Sequence, residues 1–282
     1  MSSASTPIER FTAGGVDFLS GGGKMGELMR SFDWSGSPLG DPDQWPQSLK
    51  TSVSICLNSR FPIVLWWGPE MTLLYNDDYI SMLGAKHPHR ALGLPGKQVW
   101  GEIWPIIGPL LDRVLQEGEA NWADDLQLFI NRSGYLEEGY FRFSYSPIRD
   151  ESGGIGGIFT PVSETTSKVI AERRFRTLRE LVEQASQARS PEKACAAATA
   201  ALEGNPYDVP FAALYLAVPG AAEARLAAAT SNALKFPQTM SLANGDSAVF
   251  GNGASPIRVS LIPRPPGLSE IPLGPWGDPS PA

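Results

Sequence analysis

The sequence predicts an α+β protein: a five-stranded antiparallel sheet with helices on one face, then a helical linker, then an incomplete second α+β domain. Three observations predict it. Ile63–Trp67 and Met71–Tyr75 are short apolar runs separated by Gly68-Pro69, the pattern of a hairpin. Three longer strand-like segments, Trp122–Asn131, Tyr140–Ile148 and Ile155–Val162, follow a helix-rich middle. The run SETTSKVIAERRFRTLRELVEQASQA, from Ser163, then contains neither Gly nor Pro and is rich in helix formers.

Taken in order, residues 1–28 read as a flexible tail rich in Ser, Gly and Thr, with GGG at Gly21–Gly23. Residues 29–60 read as a lead-in that packs on the sheet domain. A short helix from Met25 enters it, and a loop broken by Pro38, Pro42 and Pro46 carries Trp34 and Trp45, side chains too apolar for a polar loop. Leu49, Val53, Cys56 and Leu57 then fall near helical spacing. The sheet domain spans 61–164. Asn76 stands where a helix N-cap belongs. Val99–Gln116 is a helix interrupted by Pro105 and Pro109 and closed by Gly118. Phe141, Phe143 and Tyr145 alternate with Arg142, Ser144 and Ser146, a strand with one buried face, and NRSG and DESGG are turns.

In the linker, 165–190, Ala171, Phe175, Leu178, Val182 and Ala185 are spaced 4, 3, 4, 3, an a/d seam flanked by charge. A short coiled coil and an amphipathic helix lying on its own domain both fit that spacing. Residues 191–282 begin with an alanine-rich helix, Pro191–Leu202, and a hairpin of Pro210–Val218 with Ala224–Thr230. Periodicity then fades, and Pro263–Pro281 carries seven prolines. One hairpin with a helix is too little to stand alone, so the second domain is expected to be incomplete.

Composition narrows the function classes. The chain has 282 residues, enough for one or two domains, and its 42% hydrophobic content can fill their cores. A net charge of −7 argues against a nucleic-acid-binding surface. No apolar run approaches the ~20 residues of a membrane span. The N-terminus lacks the basic and apolar segments of a secretory signal. Cys56 and Cys195 lie far apart, as reduced thiols of a cytoplasmic protein would.

The order of elements from Ile63 to Val162 resembles the PAS sensor fold, and SETT (Ser163–Thr166) resembles the Asp-x-Thr element that joins many PAS domains to a signalling helix. Glu164 and Thr166 stand in its Asp and Thr positions. FDWSGSPLGDPDQWPQSLKTSVSICLNSRFPIVLWWGPEMTLLYNDDY, with KHP and FSYSPIRDESGGIGGIF, is similar to a subfamily of bacterial PAS-GAF sensor proteins. NPYDVPFAALYL (Asn205–Leu216) resembles the first strand of their GAF domain. The resemblance implies the input part of a histidine kinase in a phosphorelay. Its expected partners are a second copy joined through the linker helix, a small-molecule or protein cue, and a downstream kinase or response regulator. It implies that Glu164, Thr166, Phe175, Leu178 and Val182 transmit the signal. Two other readings stay open: an input to another effector, such as a phosphatase or cyclic-dinucleotide enzyme, and a ligand-free dimerisation module.

No catalytic motif is present. Gly-x-Ser-x-Gly is absent, GGGK lacks P-loop spacing, and the glycine pair of IGGIF reads as a bulge or a close approach. His87 and His89 would need a further donor, from Glu70, Asp77 or Asp78, to hold a metal, so they read as loop histidines and no metal is expected. No cofactor is identified. The long helix that carries the axial ligand in haem-binding PAS domains has no histidine here. Asn58-Ser59-Arg60-Phe61 looks like the flavin-adduct motif with Ser59 in place of Cys, but precedes the first strand. Candidate pocket residues are the aromatics Trp66, Tyr75, Tyr79, Trp104, Phe129 and Phe143, with Asn76 and Arg142 as polar groups.

Overall fold

A computed structural model of the chain describes residues 17–218, 220–230, 236–241, 247–250 and 257–260. The first sixteen residues and the proline-rich end lie outside the described residues. The chain divides into two compact units at Ser167 and Lys168.

The first unit holds a five-stranded antiparallel sheet in the order β2-β1-β5-β4-β3, with β1 Ile63–Trp67, β2 Thr72–Tyr75, β3 Asn121–Asn131, β4 Leu136–Arg149 and β5 Ile155–Glu164. This sheet fits the PAS fold. Consecutive strands form the hairpins β1-β2, β3-β4 and β4-β5, while β1, the first strand, lies beside β5, the last. Register sets the faces: Val64 is opposite Tyr75 and Thr160, and Phe143 is opposite Val162 and Ala123. These residues share the inner face, and their neighbours Leu65, Leu74 and Phe159 share the outer one. Between Ala123 and Leu126 the β3-β4 register shifts, and Asp125 there takes a φ of 52°, a bulge.

The inner face meets a short helical turn at Asp77–Tyr79, then α3 Ile80–Leu83, α4 Gly96–Val99 and α5 Trp104–Glu117. Asn76 caps the first of these, its Oδ1 accepting from the Tyr79 amide at 3.2 Å. The single interrupted helix expected over Val99–Gln116 is two helices, broken at Trp100–Ile103. Pro105 sits at the start of α5, where its missing N–H costs nothing, and the Gly118 amide closes the helix on the Val114 carbonyl at 2.9 Å.

Helices were expected on one face only; the outer face is covered as well. β1 and β2 are buried at every position, so side chains on both faces are out of water. The cover is the lead-in, whose packed part starts at Asp17 rather than at residue 29. Leu19, Met25 and Met29, the last two on α1 Gly23–Ser31, are buried in the same core as Leu49, Val53, Cys56 and Leu57 of α2 Gln47–Asn58. The Asp77 carboxylate accepts from the Lys24 and Met25 amides at 2.9 and 2.6 Å and so caps α1. Glu151, in the β4-β5 turn, accepts from the Ser48 amide at 2.7 Å at the start of α2. Trp34 and Trp45 are buried edge to face, with centroids 4.8 Å apart, and each indole N–H donates to a carbonyl, Met29 and Gly40 respectively. The ring of Trp67 lies on Gly157, where a Cβ would stand 2.5 Å from it. The IGGIF glycines are thus a close approach.

In the second unit the residues of α6 Thr166–Gln187 from Lys168 onward accompany α7 Pro191–Glu203 and a three-stranded antiparallel sheet of β6 Ala213–Ala217, β7 Glu223–Ala229 and β8 Thr239–Ser241. The third strand was not legible in the sequence. β9 Ser247–Phe250 and β10 Ile257–Ser260 form a separate hairpin. Among the described residues no helix is long and apolar enough to cross a membrane.

Candidate functional site

A cavity of about 40 Å³ lies between the inner face of the sheet and the helices. Alternation along the strands delivers one wall: Val64 and Trp66 from β1, Leu128 and Ile130 from β3, Phe141, Phe143 and Tyr145 from β4, and Thr160 and Val162 from β5. Tyr79, Met82, Trp100, Ile103 and Ile107 form the other. The Trp66 indole N–H donates to the Thr160 hydroxyl at 3.1 Å, so these two polar groups satisfy each other. Burial pushes the phenols of Tyr79 and Tyr145 well above the usual tyrosine range, and both stay protonated.

A chain of polar contacts runs from the helical wall to the end of the sheet. Lys86, held over the Trp100 ring at 4.1 Å, donates to the Val99 carbonyl at 2.8 Å and pairs with Glu102. Glu102 accepts from the Asn131 amide at 3.0 Å. The Ala85 amide donates to the Arg132 carbonyl at 2.8 Å. Gly84, with a φ of 53°, leaves no room for a Cβ, which would stand 2.4 Å from that carbonyl oxygen. The Arg132 guanidinium then grips both carboxylate oxygens of Glu164, at 2.8 and 3.0 Å, and Glu137 at 3.0 Å. Glu164 accepts from the Thr166 hydroxyl at 2.8 Å, and that hydroxyl accepts from the Tyr140 amide at 3.0 Å. The bond from Arg132 holds the Glu164 carboxyl below the ordinary glutamate range against the opposing effect of burial. Burial lowers Lys86, opposed by Glu102.

No protein-family model and no curated protein matches the chain. The structure does have neighbours. They are PAS and LOV domains. A sensory box sensor histidine kinase from Vibrio cholerae aligns at TM-score 0.29 and 13% identity, over 37% of this chain and 77% of that one. The PAS domain of BvgS from Bordetella pertussis aligns at 0.31 and 20%, over 48% and 98%. The Rhodobacter sphaeroides LOV protein aligns at 0.36 and 13%, over 49% and 78%. At such scores the likeness carries no argument about function, which has to come from the chain's own residues.

Of the candidate pocket residues, Trp66, Tyr79 and Phe143 line the cavity. Trp104 stands behind it, its ring 6.4 Å from that of Trp66. Tyr75 is buried beside Tyr79 and bonds through its hydroxyl to His87 Nδ1 at 2.8 Å, which also gives that histidine a local role. Asn76 is a backbone clasp rather than a pocket group: its Oδ1 accepts from the Ile63 amide and its Nδ2 donates to the Phe61 carbonyl. Phe129 alternates with Leu128 and Ile130 and so belongs to the outer face. Arg142 is on that face too, exposed and paired with Asp124. Its alternation with Phe141 and Phe143 already placed it there.

The sequence reading counted Trp100 among the aromatics that could line a pocket, and it does; it missed Ile103 and Ile107, whose i, i+4 spacing was the available signal. It also missed Arg132, a single residue in a turn with no local pattern to mark it. Phe175, Leu178 and Val182 are 70%, 60% and 70% exposed. A neighbouring stripe of α6 is engaged within its own unit: Arg173 pairs with Asp208 at 2.8 Å, and the Thr177 hydroxyl accepts from Asn205 at 3.1 Å. α6 therefore has both an intra-unit face and an uncovered apolar seam.

Proposed function

We propose that this chain is a sensory input module of a cytoplasmic bacterial signalling protein. A PAS domain detects a small molecule in its cavity and passes the change through α6 to a GAF-like second unit and a histidine-kinase output. The observation that carries this reading is the continuous set of contacts from Trp100 and Lys86, through Glu102, Asn131 and Arg132, to Glu164 and Thr166. It joins a cavity wall to the first residue of the long helix. The uncovered seam of Phe175, Leu178 and Val182 supports pairing of α6 with a second copy, which would read a rotation or slide of the helix as a change between protomers. The GAF and kinase parts rest on the resemblance of Asn205–Leu216 and of the lead-in motif.

The test is to fill the cavity. Ile107→Phe adds bulk at the wall and mimics an occupant. Hydrogen exchange on the full chain should then change at the Tyr140 and Thr165 amides, both tied to the β5–α6 junction. Unchanged exchange there, in a folded variant, would remove the sensor reading and leave the ligand-free dimerisation module.

A further inference from the structure

The cavity lining includes polar groups. The Trp100 indole N–H is buried and meets no hydrogen-bond acceptor at bonding geometry among the described residues. Tyr79 and Tyr145 share the cavity lining with it. Both tyrosines line the same cavity and are more than nine-tenths buried. Three neutral donors thus serve one small space whose remaining lining is apolar apart from the Trp66–Thr160 pair, already bonded to itself. No cationic side chain lines it.

That chemistry selects an occupant. A buried donor without an acceptor is costly, so the group that enters should bring a lone pair to Trp100, beside the two phenols. With no cation in the wall, an anion would carry its desolvation cost uncompensated, so the group is neutral. A space of about 40 Å³ holds about three water-sized atoms, far less than an aromatic ring needs. Water can answer the donors but gains nothing from the apolar residues that make up most of the lining. We propose that the cavity binds a neutral carbonyl compound of about three or four heavy atoms, its oxygen on Trp100, Tyr79 and Tyr145 and its carbon end against Phe143 and Ile107. This rests on the sensor reading for its purpose but not for its chemistry.

The experiment is a titration of the full chain with acetone, followed by the indole N–H resonances, with that of Trp100 assigned through Trp100→Phe. The proposal expects a saturable shift at Trp100 and affinity about tenfold weaker in Tyr79→Phe/Tyr145→Phe. The seven other indole resonances report that the variant is folded, since the chain has eight tryptophans. Tyr145→Phe alone, which keeps the ring and its packing on Phe143, covers the case in which the double variant does not fold. It should weaken binding several-fold. A linear, unsaturable shift, or equal affinity in the phenylalanine variants, would overturn the proposal and leave ordered water. A saturable Trp100 shift that leaves the Tyr140 amide unmoved would support the ligand class while removing the relay on which the sensor reading depends.

Discussion

Glu164 serves two structures at once: it ends β5 on Arg132 and it orders the first helical residue through Thr166. Arg132→Ala leaves that carboxylate without its bidentate partner and should cost about 2 kcal/mol, read by denaturant unfolding of the first unit. Because the folded state depresses the Glu164 carboxyl, its contribution is complete above the ordinary glutamate value and is lost as pH falls through the lower folded value. The Tyr140 amide, bonded to Thr166, should therefore titrate only below the ordinary glutamate range, measured by its NMR shift against pH, and should lose that behaviour in Glu164→Gln. Gly84 makes a sharper demand. An alanine there meets both a left-handed φ and the Arg132 carbonyl, so Gly84→Ala should cost about 3 kcal/mol, a fall in Tm of roughly 10 °C.

Among the elements, α6 carries the clearest test. Phe175, Leu178 and Val182 are exposed, so under the proposed pairing of α6, Phe175→Glu with Leu178→Glu should leave the helical circular dichroism unchanged while sedimentation shifts from dimer to monomer. A dimer that survives would place the interface elsewhere. Strands with one buried face were legible because period-two alternation is a local property: Phe141, Phe143 and Tyr145 announced the inner wall by themselves. The short buried strands were legible from Gly68-Pro69 and their apolar runs. What escaped was set by distant partners. Asn76 read as an N-cap and is one, yet its other bonds, to Phe61 and Ile63, depend on how β1 returns past it. The cover on the outer face depends on which surface α2 meets. β8 gains its place from pairing with β7 rather than from its own three residues.

At the scale of the whole molecule, the two units carry separate acid sensitivities. In the second, burial raises the Asp208 carboxyl, but hydrogen bonds from Arg173, Asn205 and Arg174 prevail and hold it at about 2. Its contribution is present above the ordinary aspartate value and fades as pH falls toward about 2. Asp208→Asn should therefore destabilise the second unit at neutral pH and flatten its acid dependence, with the first unit's transition unmoved in a calorimetric scan. The lead-in has a practical consequence for anyone dividing the gene. The outer side of β1 is an inside wall, and Asp17–Asn58 is its plaster. A fragment begun at Phe61 would turn Ile63, Leu65 and Trp67 toward water beside Leu74 and Phe159, and should precipitate where one begun before Asp17 stays in solution. The boundary drawn where the sheet starts is thus a cut through a core.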